Sequence, residues 1–223
     1  MTQRQILWGT VCGTAVSAGA LVYAQVALPA QPLLSDYVLV SGGPAPVLIG
    51  MLALAGACLT LAYGLAAGDP SRTAATRVLL LAGAAGLMMS AIFPTDPGGS
   101  EIGSLSGEIH RWSAAVVFNS LPVAGWVLAR RRDAAPRWNA VRAMSLTSAV
   151  TLAIYLAAHP ASFTSPLING ASFYGLMERA LVLVEMGLIV VMALASHREH
   201  RVAADVAVPA RPTETERPHR LAA

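Results

Sequence analysis

Apolar residues run in six long blocks along this chain, separated by short polar connections. A helix needs about 20 mostly apolar residues to cross the hydrocarbon core of a bilayer. By that measure the blocks predict six spans: Ile6–Leu28, Pro46–Ala67, Arg77–Phe93, Trp112–Ala129, Ala143–Ala158, and a sixth opening near Tyr174 or Glu178 and ending at Ser196. The shorter blocks can still span when flanking residues reach toward the interface. The pattern therefore predicts an all-α integral membrane bundle of six transmembrane helices over residues 1–196. Residues 197–223 carry Pro209, Pro212, Pro218 and many charges without an apolar face. They are expected to form a disordered cytoplasmic tail.

Arg4 followed by an apolar run ending in Val22-Tyr23-Ala24 also fits a secretory signal with a small-residue cleavage site. The run exceeds the usual 7–15 residues of such a signal, so it is read as a retained first helix. Gly9 with Gly13, and Ala53 with Ala57, repeat small residues at four-residue spacing. That spacing lets helix backbones approach closely in lipid.

Composition agrees with the pattern. The 223 residues are 55% hydrophobic and 12% charged, against about 25% charged in a soluble domain. All 15 basic residues are arginine, and they are not interleaved with aromatics, which argues against nucleic-acid binding. Thirteen arginines fall at the termini or in the second and fourth connections, leaving Arg111 and Arg179 on the other side. Cytoplasmic loops carry the arginine excess. A multi-pass protein of the cell membrane is therefore expected, with cytoplasmic N- and C-termini and membrane lipid as its surroundings. Cys12 and Cys58 lie inside apolar runs and read as packing residues.

Candidate chemistry gathers on the side opposite the termini. The longest polar interruption, Phe93–Arg111, reads FPTDPGGSEIGSLSGEIHR and includes Asp96, Glu101, Glu108 and His110. Pro94 ends a helix, and Asp96 between Pro-Thr and Pro-Gly-Gly has good turn chemistry. His110 can protonate near neutral pH, pair with a carboxylate or ligate a metal. An Asp96–His110 clamp fixing helix 3 against helix 4 is the leading expectation. Asp36 lies in the first outer connection, His159 closes helix 5, and Glu178 and Arg179 open helix 6. Glu185 is seven residues past Glu178, so both face one way about 10.5 Å apart. A carboxyl that deep in an apolar run marks a functional candidate facing the bundle interior. Arg179 is expected to meet Asp36, Asp96 or a lipid phosphate. Asp96, His110, His159 and Glu178 lack any short metal-ligand spacing, so no metal site is expected.

FPTDP followed by IH at the next helix resembles the hallmark of the membrane family catalogued as domain of unknown function 998. GLMER (Gly175–Arg179) is similar to a second pattern of that family, and LSDY (Leu34–Tyr37) to a third. The resemblance covers residues 6–196. It implies a bundle of about six helices with no settled activity or cofactor, and it points to Pro94, Asp96, His110, Glu178 and Arg179. Arg111 stands where a small residue often follows the family histidine.

Three functions fit these residues. One is binding of a lipid or amphiphile at an outward polar site, with Asp36, Arg111, His159 and Arg179 as ligand-binding residues. A second is an intramembrane hydrolase or cyclase using Asp96, His110, Glu178 or Glu185 as acid or base. A third is a small transporter or structural partner. The sequence names no cofactor and no protein partner.

Overall fold

A computed structural model describes residues 1–97, 103–159 and 171–207; side chains are described except at residues 171, 172 and 200–207. The chain is all-helical, with six helices long and apolar enough to cross a membrane. These are α1 (Gln3–Ala27), α2 (Pro44–Gly68), α3 (Ala74–Ile92), α4 (Leu105–Ala129), α5 (Pro136–Ala157) and α6 (Ala171–Ala207). A short 3₁₀ turn, Ser35–Leu39, sits in the α1–α2 connection.

Successive helices α1 to α4 pack side by side. α6 then returns through the middle and touches α1, α2, α4 and α5. The main apolar core lies along it, where Leu181, Leu188, Ile189 and Met192 are at most 1% exposed. On the outside, Val16, Val78, Leu81, Val150 and Leu183 are each about half exposed or more. A soluble monomer rarely presents that much apolar surface, and here it is the belt that meets lipid. The protein is therefore a multi-pass membrane protein.

Several helices begin earlier than apolarity alone predicts. α4 starts at Leu105 rather than Trp112, because Ser104 caps it by accepting a hydrogen bond from the Gly107 N–H at 3.1 Å. His110 and Arg111 thus stand on the second turn of α4, not at its opening. α5 starts at Pro136 rather than Ala143, with proline at a position where its missing N–H costs nothing. α6 starts at Ala171, so Glu178 and Arg179 lie two turns inside it, and the helix passes Ser196 to reach Ala207. Glu101 and the tail beyond 207 lie outside the described residues.

The small-residue pairs face each other. A Cβ on Gly13 would sit 3.0 Å from the Ala53 carbonyl and 3.2 Å from the Ala57 Cβ, so α1 and α2 meet at these residues. α3 and α4 meet similarly, where a Cβ on Gly86 would lie 2.8 Å from the Ser113 carbonyl oxygen. At the end bearing the termini, Arg132 bonds Glu199 at 2.6 Å and approaches Asp69 at 3.8 Å, tying three elements together.

Gly86→Ala is expected to lower stability by about 1–3 kcal/mol, because the clash is with backbone that cannot swing away. Gly19→Ala meets nothing within 4 Å and should be neutral or slightly stabilising. Reversible unfolding in mixed micelles compares the two.

Candidate functional site

At the end of the bundle opposite the termini, the described parts of the α1–α2 and α3–α4 connections are each held by side chains from a neighbouring helix. The 3₁₀ turn at Ser35 begins with Leu34 as its cap, a residue with no polar side chain to satisfy the free N–H groups. Glu178 of α6 supplies what is missing. Its Oε2 accepts from the Leu34 N–H at 2.6 Å, and the Ser35 N–H bonds the same carboxyl. Arg179 beside it donates to the carbonyls of Gln31 and Pro32 at 2.8 Å each, to Gly175 at 2.9 Å and to the Gln25 side chain at 2.9 Å. Gly175 leaves room for the strand of chain so held, since a Cβ there would run into the Pro32 carbonyl oxygen. Arg179 thus makes no direct ion pair with Asp36 or Asp96 among the described residues: its donors go to three backbone carbonyls and the Gln25 amide.

The second clamp is also different from expectation. His110 does not bond Asp96. Its Nδ1 lies 2.9 Å from the Phe93 carbonyl and 3.1 Å from that of Ser90, at the exit of α3. Carbonyls only accept, so Nδ1 carries the proton, and in the neutral ring Nε2 carries the lone pair. Ser106 adds a hydroxyl bond to the Pro94 carbonyl at 2.9 Å. The first turns of α4 therefore satisfy the free carbonyls of α3. Asp96 instead organises the start of α4. It accepts from the Gly103 and Ser104 N–H groups at 2.8 and 3.0 Å and from the Ser104 hydroxyl at 2.7 Å. Those bonds, led by the Ser104 hydroxyl, hold its carboxyl below the usual range. Gly107 is required beside it, because a Cβ there would overlap the carboxylate.

Asp36 is 4% exposed. Its Oδ2 accepts from the Leu33 N–H at 3.2 Å, while Oδ1 is buried without a partner among the described residues. Burial raises its pKa, opposed by the Leu33 bond and by His110 and Arg179.

Behind these clamps lies a cavity of about 250 Å³ to which all six helices contribute. It brings together five of the expected site residues: His110, Arg111, His159, Glu178 and Glu185. Asp36, Asp96 and Arg179 do not line it. The wall is mostly apolar, with Leu21, Leu54, Leu87 and Val182 among its residues. Its lining ends at Glu185 on α6, Asn119 on α4 and Leu54 on α2. The cavity thus runs from the loop end to the middle of the bundle. Glu185, about 21 Å along α6 from Ala171, forms part of the floor, with its Oε1 taking a 3.4 Å bond from Ser148.

An aromatic wall was not foreseen. Tyr155 and Tyr174 stack with ring centroids 4.5 Å apart and share a hydroxyl bond of 2.6 Å. His159 meets Tyr174 edge-on at 5.2 Å, and Phe118 meets Tyr155 edge-on at 6.0 Å. The signal was the spacing of Tyr155 with His159 and of Tyr174 with Glu178, each four apart and so on one helical face. Burial, with Arg111 nearby, lowers the His159 pKa, so this ring is neutral at pH 7. Arg111 is the permanent cation among the described lining residues. No group of three or more potential metal ligands occurs among the described residues.

Residues 8–195 match the model of the family described as "Protein of unknown function (DUF998)". No curated protein and no solved structure matches the chain.

The Asp96 bonds fix a sign for pH dependence. A carboxyl with a lowered folded-state pKa stabilises above its unfolded value of about 4. That contribution is lost as pH falls through the folded value. Asp96→Ala should therefore be less stable than the parent at pH 7, and the gap should close toward pH 2–3. Thermal unfolding across this range measures it.

Proposed function

The chain belongs to the DUF998 family, and we propose that this member binds a lipid or other amphiphile in the cavity between its helices. The observation that carries the reading is the shape and polarity of that cavity. Its walls are mostly apolar and its loop end is polar, where Arg111, His110, His159 and the Tyr155–Tyr174 pair gather. A hydrocarbon chain matches the walls contributed by Leu21, Leu54, Leu87 and Val182. A phosphate or carboxylate head matches Arg111, whose guanidinium offers planar paired donors. Arg179, first considered for the same role, instead holds the rim of the mouth through the Gln31 and Pro32 carbonyls. The arginine distribution supports placing the mouth on the outer face of the cell membrane, with both termini cytoplasmic.

A second reading has one specific observation in its favour. The carbonyls of Ser90 and Phe93 fix the His110 tautomer, which leaves Nε2 as a base on a residue that lines the cavity. An acid–base enzyme would use that nitrogen.

Native mass spectrometry of the protein purified in mild detergent tests the proposal. The parent protein should carry a co-purifying amphiphile. Ala115→Trp, which fills the cavity from α4, should lose it. Arg111→Ala should weaken retention of an anionic lipid about tenfold or more, the loss of one charge-assisted bond. Parent protein free of any amphiphile, or equal occupancy in Ala115→Trp, contradicts amphiphile binding.

A further inference from the structure

The floor of the cavity carries polar groups that neither the clamps nor a head group at the mouth uses. Glu185 is 2% exposed and lines the cavity rather than the lipid belt. Its single hydrogen bond among the described residues is the long one from Ser148 to Oε1, so Oε2 has no protein partner among them. Ser17 of α1 lines the same cavity, is 1% exposed, and its hydroxyl has no partner among the described residues. A hydroxyl in a helix normally bonds back to the preceding turn, as Thr10 and Thr14 do on this same helix at 3.0 and 2.9 Å. Thr76 and Ser196 also leave buried helical hydroxyls unpaired among the described residues, but of the three Ser17 alone lines the cavity, where a guest can reach it.

We infer that Glu185, with Ser17 and Ser148, is a proton-binding site at the floor of the cavity, exchanging protons through the mouth only. An ionised carboxyl at this depth is costly without a partner cation. The titratable and charged groups around it come from α2, α4, α5 and α6, while α1 and α3 contribute none to the cavity lining. α2 brings Cys58, α4 brings His110 and Arg111, α5 brings Tyr155 and His159, and α6 brings Tyr174 and Glu178. The one permanent cation among the described lining residues, Arg111, stands on the second turn of α4 at the mouth, so the carboxyl stays neutral by holding a proton. Toward the mouth, Glu178 follows two turns along α6 on the same face, with the Tyr155 and Tyr174 hydroxyls beside the path. The polar walls can order water between them. Toward the terminal end the path stops. There Leu61, Leu121, Leu188, Ile189 and Met192 are each at most 2% exposed and form continuous apolar core. The site thus differs from an acid packed within apolar core in two respects: it lines a cavity, and that cavity is closed toward the terminal end.

This inference uses the same cavity as amphiphile binding but does not depend on it. Dicyclohexylcarbodiimide is the probe. It is an apolar reagent that reacts with a protonated carboxyl. The acid O–H adds across its C=N bond, and the adduct rearranges to a stable N-acylurea with no atom lost. The full-length protein in mild detergent is treated over a range of pH, and the modified residue is located by tandem mass spectrometry. Glu185 should carry the adduct, and labelling should fall as pH rises, because a site in contact with water loses its proton. Ala115→Trp and Leu152→Trp, which narrow the cavity from α4 and α5, should each cut labelling several-fold. The site is mapped on the parent protein, so the result does not rest on a Glu185 variant folding. Folded protein in which Glu185 stays unmodified at acidic pH overturns the inference. So does labelling that is indifferent to pH, or that stays at the parent's level in both narrowed variants. Loss of the co-purifying amphiphile with retained pH-dependent labelling would remove the binding proposal and leave this one standing.

Discussion

The contact on which the mouth of this bundle depends is the Glu178 carboxyl against the backbone N–H groups of Leu34 and Ser35. A helical turn starting with leucine has no local means to satisfy those donors. A buried N–H left without a partner costs about 1–3 kcal/mol. One acid from the central helix removes that cost and fixes where the first connection crosses the bundle. Arg179 holds the preceding carbonyls, and Gly175 makes the close approach possible. Three residues of one short stretch thus act together on a single loop.

The other connection follows the same physics with the polarity reversed. α3 ends with free carbonyls at Ser90 and Phe93, and the His110 ring donates to them. Asp96 then closes the loop by capping the residues that open α4. Loops at a membrane face cannot rely on a large apolar contact for order. Charged and aromatic side chains borrowed from neighbouring helices give them fixed positions instead. Fixed loops hold open the apolar cavity beneath them, and this is how the residues of the family patterns come to serve a site that most of them do not line.

The six spans were legible because hydrophobicity over about 20 residues is a strong signal, and the facing of Glu178 and Glu185 followed from helical spacing. Helix starts were less legible. Ser106, Glu108, His110 and Arg111 look like loop to a hydropathy reading, yet they belong to the first two turns of α4. Arg137 and Arg142 likewise sit on α5. The partners of the candidate residues could not be read at all. Glu178 and Leu34 are 144 positions apart, and His110 chose backbone carbonyls over the nearby acid that the chemistry of side chains alone suggested. Backbone groups leave no mark in a sequence, so a side chain that caps another helix looks the same as one that binds a ligand.

The central claim is that Glu178 holds the α1–α2 connection in place. Amide hydrogen–deuterium exchange of the parent protein and Glu178→Ala tests it most directly. The account predicts that residues 31–39 lose protection in the variant, the Leu34 and Ser35 amides most of all, while the central parts of α2, α4 and α6 keep theirs. Unchanged protection at Leu34 and Ser35 would contradict it.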